Sequence, residues 1–250
     1  MVAEYGIHPD CNLVRLFSGY QGQYPGDASL IFIGYDANWP ENLLSFPALY
    51  KEVLEYLMDP IAWLGTSPKP FSSPGAGLHV PIHHPLLHES NSLVKTSSGI
   101  PYHRNINKLR LSRRALEGLS FLELLRWPTV GRTGGNSSLL LHPSNRSHLE
   151  WINSLFCCCM NSKGSKLFIV PRGMLQMLSK IGKTFGLQGF KDVAKLLNKV
   201  PGTPMQYRCD EFIALTHFAG GANPKARIED DIPLLRDIVA AKFGQDMVTD

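Results

Sequence analysis

Residues 29–40 read SLIFIGYDANWP, an apolar run followed directly by a polar turn. The run, Leu30–Ile33, consists of β-branched, aromatic and aliphatic side chains, which favour a buried β-strand. It stops at Gly34, and Asp36 and Asn38 follow. Because ligands of open α/β sheets bind just beyond the carboxyl ends of strands, we expect a functional site here. An ordinary turn, in which Asp36 only caps the next segment, is the alternative.

Further strand-like runs alternate with helical periodicities along the rest of the chain. The predicted strands are residues 29–34, 121–125, 166–170 and 212–216, and the predicted helices are residues 40–58, kinked at Pro47, and residues 113–119, 144–159, 173–181, 191–198 and 232–243. Residues 64–106 read as a long irregular segment, and no repeat or domain boundary is visible. This alternation predicts one α/β domain, residues 1–250, built as a three-layer α/β/α sandwich with a short, mainly parallel four-stranded central sheet.

Composition limits the classes of protein to consider. The chain has 250 residues, 44% of them hydrophobic, which suffices for a sizeable core. No window reaches the roughly 18 apolar residues that a membrane span needs, and the N-terminus lacks the pattern of a signal peptide. We therefore expect a soluble cytoplasmic protein with no membrane partner.

The cysteines and histidines do not form a recognisable metal or disulfide pattern. Five cysteines, three of them adjacent at residues 157–159, make a disulfide framework improbable and predict buried thiols. Five of the nine histidines lie within residues 64–106, but their spacing matches no known metal cage. We expect no metal and no cofactor, with histidines that line a substrate or phosphate channel.

Charge is concentrated in two central stretches of a chain whose formal net charge is +4. Residues 95–132 carry eight basic residues against two acids, and residues 163–199 carry eight against Asp192 alone. Two basic stretches within a globular chain suggest a polyanionic partner, with DNA first. Solvated helix faces are the alternative reading of the same pattern.

The ends of the first and last predicted strands carry a carboxylate and a histidine, in Gly34–Asn38 and at Thr216-His217. This arrangement resembles the uracil-DNA glycosylase superfamily, a three-layer α/β/α family with a short parallel sheet. Its first motif reads Gly-x-Asp-Pro-Tyr or Gly-x-Asn-Pro-Gly, and its last reads His-Pro-Ser-Pro. Here Ala37 replaces the proline, Asn38 replaces tyrosine or glycine, and residues 218–221 depart from Pro-Ser-Pro. The resemblance covers residues 29–243.

A third segment, residues 123–128 (ELLRWP), resembles the family stretch strand–Asn–apolar–basic–Pro, whose asparagine reads the edge of the base. The resemblance implies a monofunctional DNA glycosylase that flips a base out of DNA and hydrolyses its N-glycosidic bond. Asp36 would position water and stabilise the oxocarbenium-like cation, and His217 would donate to the leaving base. We expect a monomer without metal or cofactor.

The remaining roles implied by the resemblance are contacts to the base and to DNA. The base contacts would be Tyr35, Asn38, His79 and Glu123. The phosphate contacts would be Arg104, Lys108, Arg110, Arg113 and Arg114, and the turn that wedges into the duplex would contain Phe218, Gly220, Gly221 and Asn223.

Two positions suggest which base is removed. Uracil-specific relatives have a tyrosine at the position of Asn38, where it crowds carbon 5 of the pyrimidine, so the smaller asparagine predicts room for a substituent. Glu123, as a carboxylate, would accept from the exocyclic amine of cytosine. We hypothesise a 5-substituted cytosine, hydroxymethylated or glucosylated as in modified phage DNA, and with it a role in antiphage defence. A uracil or mismatch glycosylase is the conventional alternative.

Two readings from other classes stay open. A haloacid-dehalogenase-like phosphatase would use Asp36-Ala37-Asn38 as a variant of its D-x-D motif, with Asp230-Asp231 as a distant acidic pair around magnesium. A non-catalytic nucleic-acid-binding module on the same fold is the other.

Overall fold

The computed structural model describes residues 6–37, 39, 41–59, 101–130, 137–161, 166–198, 211–216, 218 and 228–249, with only the backbone at residues 101–104 and 137. Its strands are β1 (Tyr20–Gly22), β2 (Leu30–Gly34), β3 (Leu119–Glu123), β4 (Leu167–Pro171) and β5 (Phe212–Leu215). Its α-helices are α1 (Cys11–Leu16), α2 (Pro47–Met58), α3 (Pro101–Lys108), α4 (Arg113–Glu117), α5 (Ser137–Leu140), α6 (Arg146–Asn161), α7 (Leu175–Phe185), α8 (Gln188–Asn198) and α9 (Ile228–Phe243). Short 3₁₀ turns cover Glu41–Ser45, Pro143–Asn145, Arg172–Met174 and Gln245–Met247.

The described strands form a single sheet in the order β1-β3-β2-β4-β5. Strands β3, β2, β4 and β5 run parallel, and β1 pairs antiparallel with β3 at the edge. The predicted α/β fold with a mainly parallel sheet is confirmed, but the predicted number of strands was one too low. Strand β1 was missed because its three residues, Tyr-Gln-Gly, contain no apolar run.

Alternate residues of the parallel strands point to opposite faces, and each face is covered by helices. On one face, Ile31, Ile33 and Phe168 pack in a buried cluster with residues of α6, α7 and α8. On the other, Phe32 and Ile169 pack with residues of α3, α4 and α9. The three-layer α/β/α arrangement thus follows from strands that are apolar on both faces.

A smaller buried cluster forms behind the carboxyl end of β2. Trp39 and Ala37 pack there with Leu13 of α1 and with Leu49 and Val53 of α2. Trp39 is fully buried, although its indole N–H has no hydrogen-bond partner in the described part of the chain. This cluster anchors the polypeptide directly after Asp36.

Several predicted boundaries were wrong for local reasons. Pro47 does not kink one long helix; it begins α2, because proline suits the first helical turn but not the interior, and a separate 3₁₀ turn precedes it. Residues 101–106 of the predicted irregular segment lie in α3. The cysteines are not uniformly buried either: Cys11 and Cys158 are exposed and Cys159 is buried, while Cys209 lies outside the described residues.

Candidate functional site

The strand order creates a crevice at the carboxyl edge of the sheet. From β2 the chain proceeds to β3 on one side, whereas from the neighbouring β4 it proceeds to β5 on the other. The carboxyl ends of β2 and β4 therefore form a topological switch point, where α/β sheets bind ligands. Across it, the Tyr35 hydroxyl donates to the Gly173 carbonyl at 3.4 Å. Asp36 follows β2 at this point, and Arg172 follows β4.

Asp36 is held by backbone pairing that continues beyond β2. The Thr129 N–H donates to the Ala37 carbonyl at 2.9 Å, and the Trp39 N–H donates to the Thr129 carbonyl at 2.8 Å. This pairing brings the buried Thr129 hydroxyl to Asp36, where it donates to Oδ2. Asp36 itself is partly exposed, so its carboxyl group is fixed in direction and can still face a ligand.

Glu123 lies beside Asp36 at the end of β3, in register with Gly34 of β2. Its side chain is buried, and Oε2 has no hydrogen-bond partner among the described residues. Burial raises the pKa of Glu123 to about 8, and the nearby negative charge of Asp36 adds to the rise. Glu123 is therefore mostly a neutral carboxylic acid near neutral pH, with one hydrogen-bond donor and one acceptor.

Two main-chain hydrogen bonds fix Glu123 in place. Its N–H donates to the Gly19 carbonyl at 2.8 Å, and its carbonyl lies 2.9 Å from Nε2 of His148 in α6. Burial is the main cause of a lowered pKa at His148, so the neutral ring donates its Nε2–H. Gly19 has a φ of 81°, and a Cβ there would meet the His148 ring, so glycine is required for both reasons.

Gly34 makes room for the Glu123 carboxyl group. A Cβ at Gly34 would lie 2.7 Å from Cδ and 2.8 Å from Oε1 of Glu123. Gly34→Ala is expected to displace the carboxyl group and to lower the free energy of unfolding by about 1–3 kcal/mol, as over-packing does in other cores. Urea unfolding of the variant measures this loss.

Gly173→Ala is the matched control, because a Cβ at Gly173 would have no atom within 4 Å. We expect it to change stability by less than about 0.5 kcal/mol. The double variant Gly34→Ala/Glu123→Ala should recover much of the loss, since the clashing group is gone. Equal destabilisation at both glycines, or no recovery, would show that this contact does not constrain Glu123.

The structure brings three of the predicted site residues together at the carboxyl edge: Tyr35, Asp36 and Glu123. Six others lie outside the described residues, namely Asn38, His79, His217, Gly220, Gly221 and Asn223, as does the side chain of Arg104. The described residues on either side of His217 are Thr216, directly after β5, and Phe218. The roles of these seven residues stay predictions.

Phe218 is not available as the predicted wedge. Its side chain is buried and packs edge-on against Phe32 of β2, with ring centroids 5.1 Å apart. The Phe218 carbonyl accepts from Asn105 Nδ2 in α3 at 2.7 Å. The aromatic ring therefore belongs to the core, and the prediction was wrong because sequence alone does not show which loop aromatics are buried.

The predicted phosphate contacts lie at two ends of the sheet. Lys108 of α3 pairs with Glu229 in the first turn of α9, near the carboxyl edge. Arg113 and Arg114 of α4 lie close to the start of β3, at the amino edge of the sheet. Arg113 pairs with Glu117 and Arg114 with Asp246, and Arg110 is exposed near the same edge.

Sequence reasoning missed two residues of this edge. Thr129 holds Asp36 but occurs in a segment with no strand or motif to mark it. Arg172 could have been noticed, because it directly follows a predicted strand, as Asp36 does. Asp231, considered above for a magnesium pair, instead engages Arg172, while Asp230 is exposed.

The described residues contain no group of three or more histidines, cysteines, aspartates or glutamates that could hold a metal ion. In the same part of the chain, every helix is too short or too polar to cross a bilayer. Comparison of the chain with protein-family models, with curated proteins and with solved structures gave no match.

Proposed function

We propose that the chain is a DNA glycosylase that hydrolyses the N-glycosidic bond of a flipped base. The observation that carries the proposal is a pair of carboxyl groups at the carboxyl edge of the sheet, after β2 and at the end of β3, with opposite environments. Asp36 is partly exposed and accepts from Thr129, while Glu123 is buried and protonated near neutral pH. Two carboxyl groups with different environments are typical of sites that divide two roles between them.

Asp36 takes the charged role. Cleavage of an N-glycosidic bond passes through an oxocarbenium-like state, which a nearby carboxylate stabilises and towards which it can orient a water molecule. The hydrogen bond from Thr129 fixes the direction of the Asp36 carboxyl group, which is partly exposed and can therefore face the sugar or the water. His217, by resemblance, donates to the base as negative charge develops on it.

Glu123 takes the neutral role and reads the edge of the base. A carboxylic acid can donate to ring N3 of a cytosine and accept from its exocyclic amine at the same time. The ionised form could accept from the amine but would face the N3 lone pair with negative charge. The raised pKa of Glu123 therefore supports recognition of cytosine better than the carboxylate expected from sequence.

The proposed substrate is a cytosine that carries a hydroxymethyl or glucosyl group on carbon 5, as in modified phage DNA. The small side chain of Asn38 supports room for that group. Removal of such a base leaves abasic sites in the invading DNA, so a role in antiphage defence follows from this substrate. Uracil also offers a donor and an acceptor to a neutral acid, so a uracil glycosylase is the alternative to test.

A panel of duplexes tests the reaction and the base together. Duplexes with uracil, a thymine mismatch, hypoxanthine, 5-hydroxymethylcytosine or its glucosylated form are incubated with the protein, and abasic sites are revealed by alkaline cleavage. We expect cleavage at the modified cytosines, and Asn38→Tyr should abolish it by steric clash. Efficient excision of uracil with no activity on the bulky cytosines would favour the alternative substrate.

DNA contacts at the carboxyl edge can be separated from those at the amino edge. Lys108→Gln is expected to weaken DNA binding regardless of sequence and to reduce the slope of log affinity against log salt by about 1. Arg113→Gln, the matched neutralisation at the amino edge, should leave the slope nearly unchanged. Titrations at several salt concentrations measure both slopes; a larger change at Arg113 would place the DNA at the other end of the sheet.

A further inference from the structure

A partly buried ion pair, between Arg172 (28% exposed) and Asp231, joins α9 to the ends of β4 and β5. Asp231 lies in the first turn of α9 and is 1% exposed. Its Oδ1 accepts from Arg172 at 3.2 Å, and its Oδ2 accepts from the Thr216 N–H at 2.6 Å. Arg172 also donates through Nε to the Ala214 carbonyl at 3.3 Å. The pair thus holds the end of β5 through two backbone groups.

Stability alone is a weak explanation for this arrangement. Such an ion pair contributes little net stability compared with apolar side chains of the same size, because Asp231 loses its hydration and Arg172 loses most of its own. The Thr216 hydroxyl is also buried without a hydrogen-bond partner among the described residues, which adds a cost. An arrangement with these costs is better explained by the backbone geometry that it imposes at Thr216.

The position of Thr216 suggests why this backbone geometry matters for the proposed reaction. It is the last residue before His217, which the proposed function makes the donor to the leaving base. Arg172 directly follows β4, at the switch point that Asp36 faces from β2. The ion pair therefore joins the end of β4, the neighbour of β2 in the sheet, to the end of β5, which directly precedes His217 in the sequence.

We propose that Asp231 and Arg172 are positioning residues, which fix the direction in which the chain leaves β5 and so set the catalytic geometry. The inference rests on the proposed function. Neither residue needs to contact the base or the water. Their loss should slow bond cleavage and leave DNA affinity almost unchanged, because misplacement of a reacting group by about 1 Å costs up to about 100-fold in rate.

Single-turnover base release and DNA affinity are measured for Asp231→Asn, for Arg172→Gln and for the double variant. We expect each single variant to lose about 100-fold in rate, with the double variant no slower, because the two residues act as one unit. Val239→Ala is the control: it removes buried atoms from the same helix, α9, away from the ion pair. It should lower the melting temperature and keep the rate.

Hydrogen exchange gives a readout that needs no activity. The Thr216 amide should exchange faster in Asp231→Ala than in Val239→Ala, because only the first variant loses the acceptor. Equal exchange in the two variants, or a folded Asp231→Asn protein with the wild-type rate, would overturn the inference. A wild-type protein that releases no base from any duplex would instead contradict the proposed function.

Discussion

Asp36→Asn is expected to reduce base release by about 10²- to 10⁴-fold while DNA affinity stays close to that of the wild type. The amide has the shape of the carboxyl group and can still accept from Thr129, so the site should fold as before. It lacks the negative charge that stabilises the cationic transition state and orients water. Single-turnover kinetics on the preferred duplex measure the rate, and a binding titration measures the affinity.

The matched control for this prediction is Asp27→Asn, the same chemical change at an exposed turn before the amino end of β2. It removes one negative charge from the protein but none from the carboxyl edge, so its rate should equal that of the wild type. If Asp36→Asn released base as fast as Asp27→Asn, the assignment of the catalytic carboxylate to Asp36 would be wrong.

The second large effect concerns the proton on Glu123. Because the folded pKa is about 8, the wild-type kcat/KM should fall about tenfold for each pH unit above 8, as ionisation removes the donor. Glutamine keeps a donor and an acceptor at every pH, so Glu123→Gln should remain active near neutral pH and lose this decline. Among the described residues, Asp36 acts on the Glu123 carboxyl group through its negative charge, and the His148 ring contacts the Glu123 main-chain carbonyl.

Stability provides an independent check of the same proton. The pKa of Glu123 rises on folding from 4.5 to about 8, so the folded state keeps a proton that the unfolded chain releases in this range. The wild type should therefore lose stability relative to Glu123→Gln by about 1.4 kcal/mol per pH unit as pH rises from 4.5 to 8. Glu211→Gln, at a buried glutamate before β5, is the control. Parallel pH profiles for the wild type and Glu123→Gln would contradict a neutral Glu123.

The sheet was largely predictable because its strands are short apolar runs bounded by polar turns. Leu30–Ile33 identified β2, and the run at residues 166–170 identified β4 to within one residue at each end. These strands are buried on both faces, so hydrophobicity marks them without any knowledge of their neighbours. Strand β1 could not be predicted in this way, because its antiparallel pairing with β3 stabilises it and its own sequence contains no apolar run.

The site was predictable where its residues follow strands and not where they depend on pairing. Asp36 was predicted because it follows β2, and ligands of open α/β sheets bind just beyond the carboxyl ends of strands. Gly34 and Glu123 lie side by side because of the register between β2 and β3, and no local sequence pattern specifies that register. The pKa of Glu123 follows from that register, so the sequence suggested a carboxylate where the folded chain holds a neutral acid.

Contacts between distant residues set the limits of the remaining predictions. Arg172 and Asp231 are 59 residues apart in the chain, and only the packing of α9 beside β5 joins them. The basic residues 108–114 are close in sequence, but Lys108 pairs with Glu229 in the first turn of α9, whereas Arg114 pairs with Asp246 beyond its last turn. Charge density along a sequence indicates a polyanionic partner without indicating which end of the sheet it contacts.

The proposed reaction is tested most directly by identifying its products. A duplex with one glucosylated 5-hydroxymethylcytosine is incubated with the wild-type protein and a chelator, and the products are separated and identified by mass spectrometry. The proposed function predicts the free modified base and an equal amount of an abasic strand whose phosphodiester backbone is intact. Recovery of the duplex unchanged, or release of phosphate or glucose while the base stays attached, would contradict it.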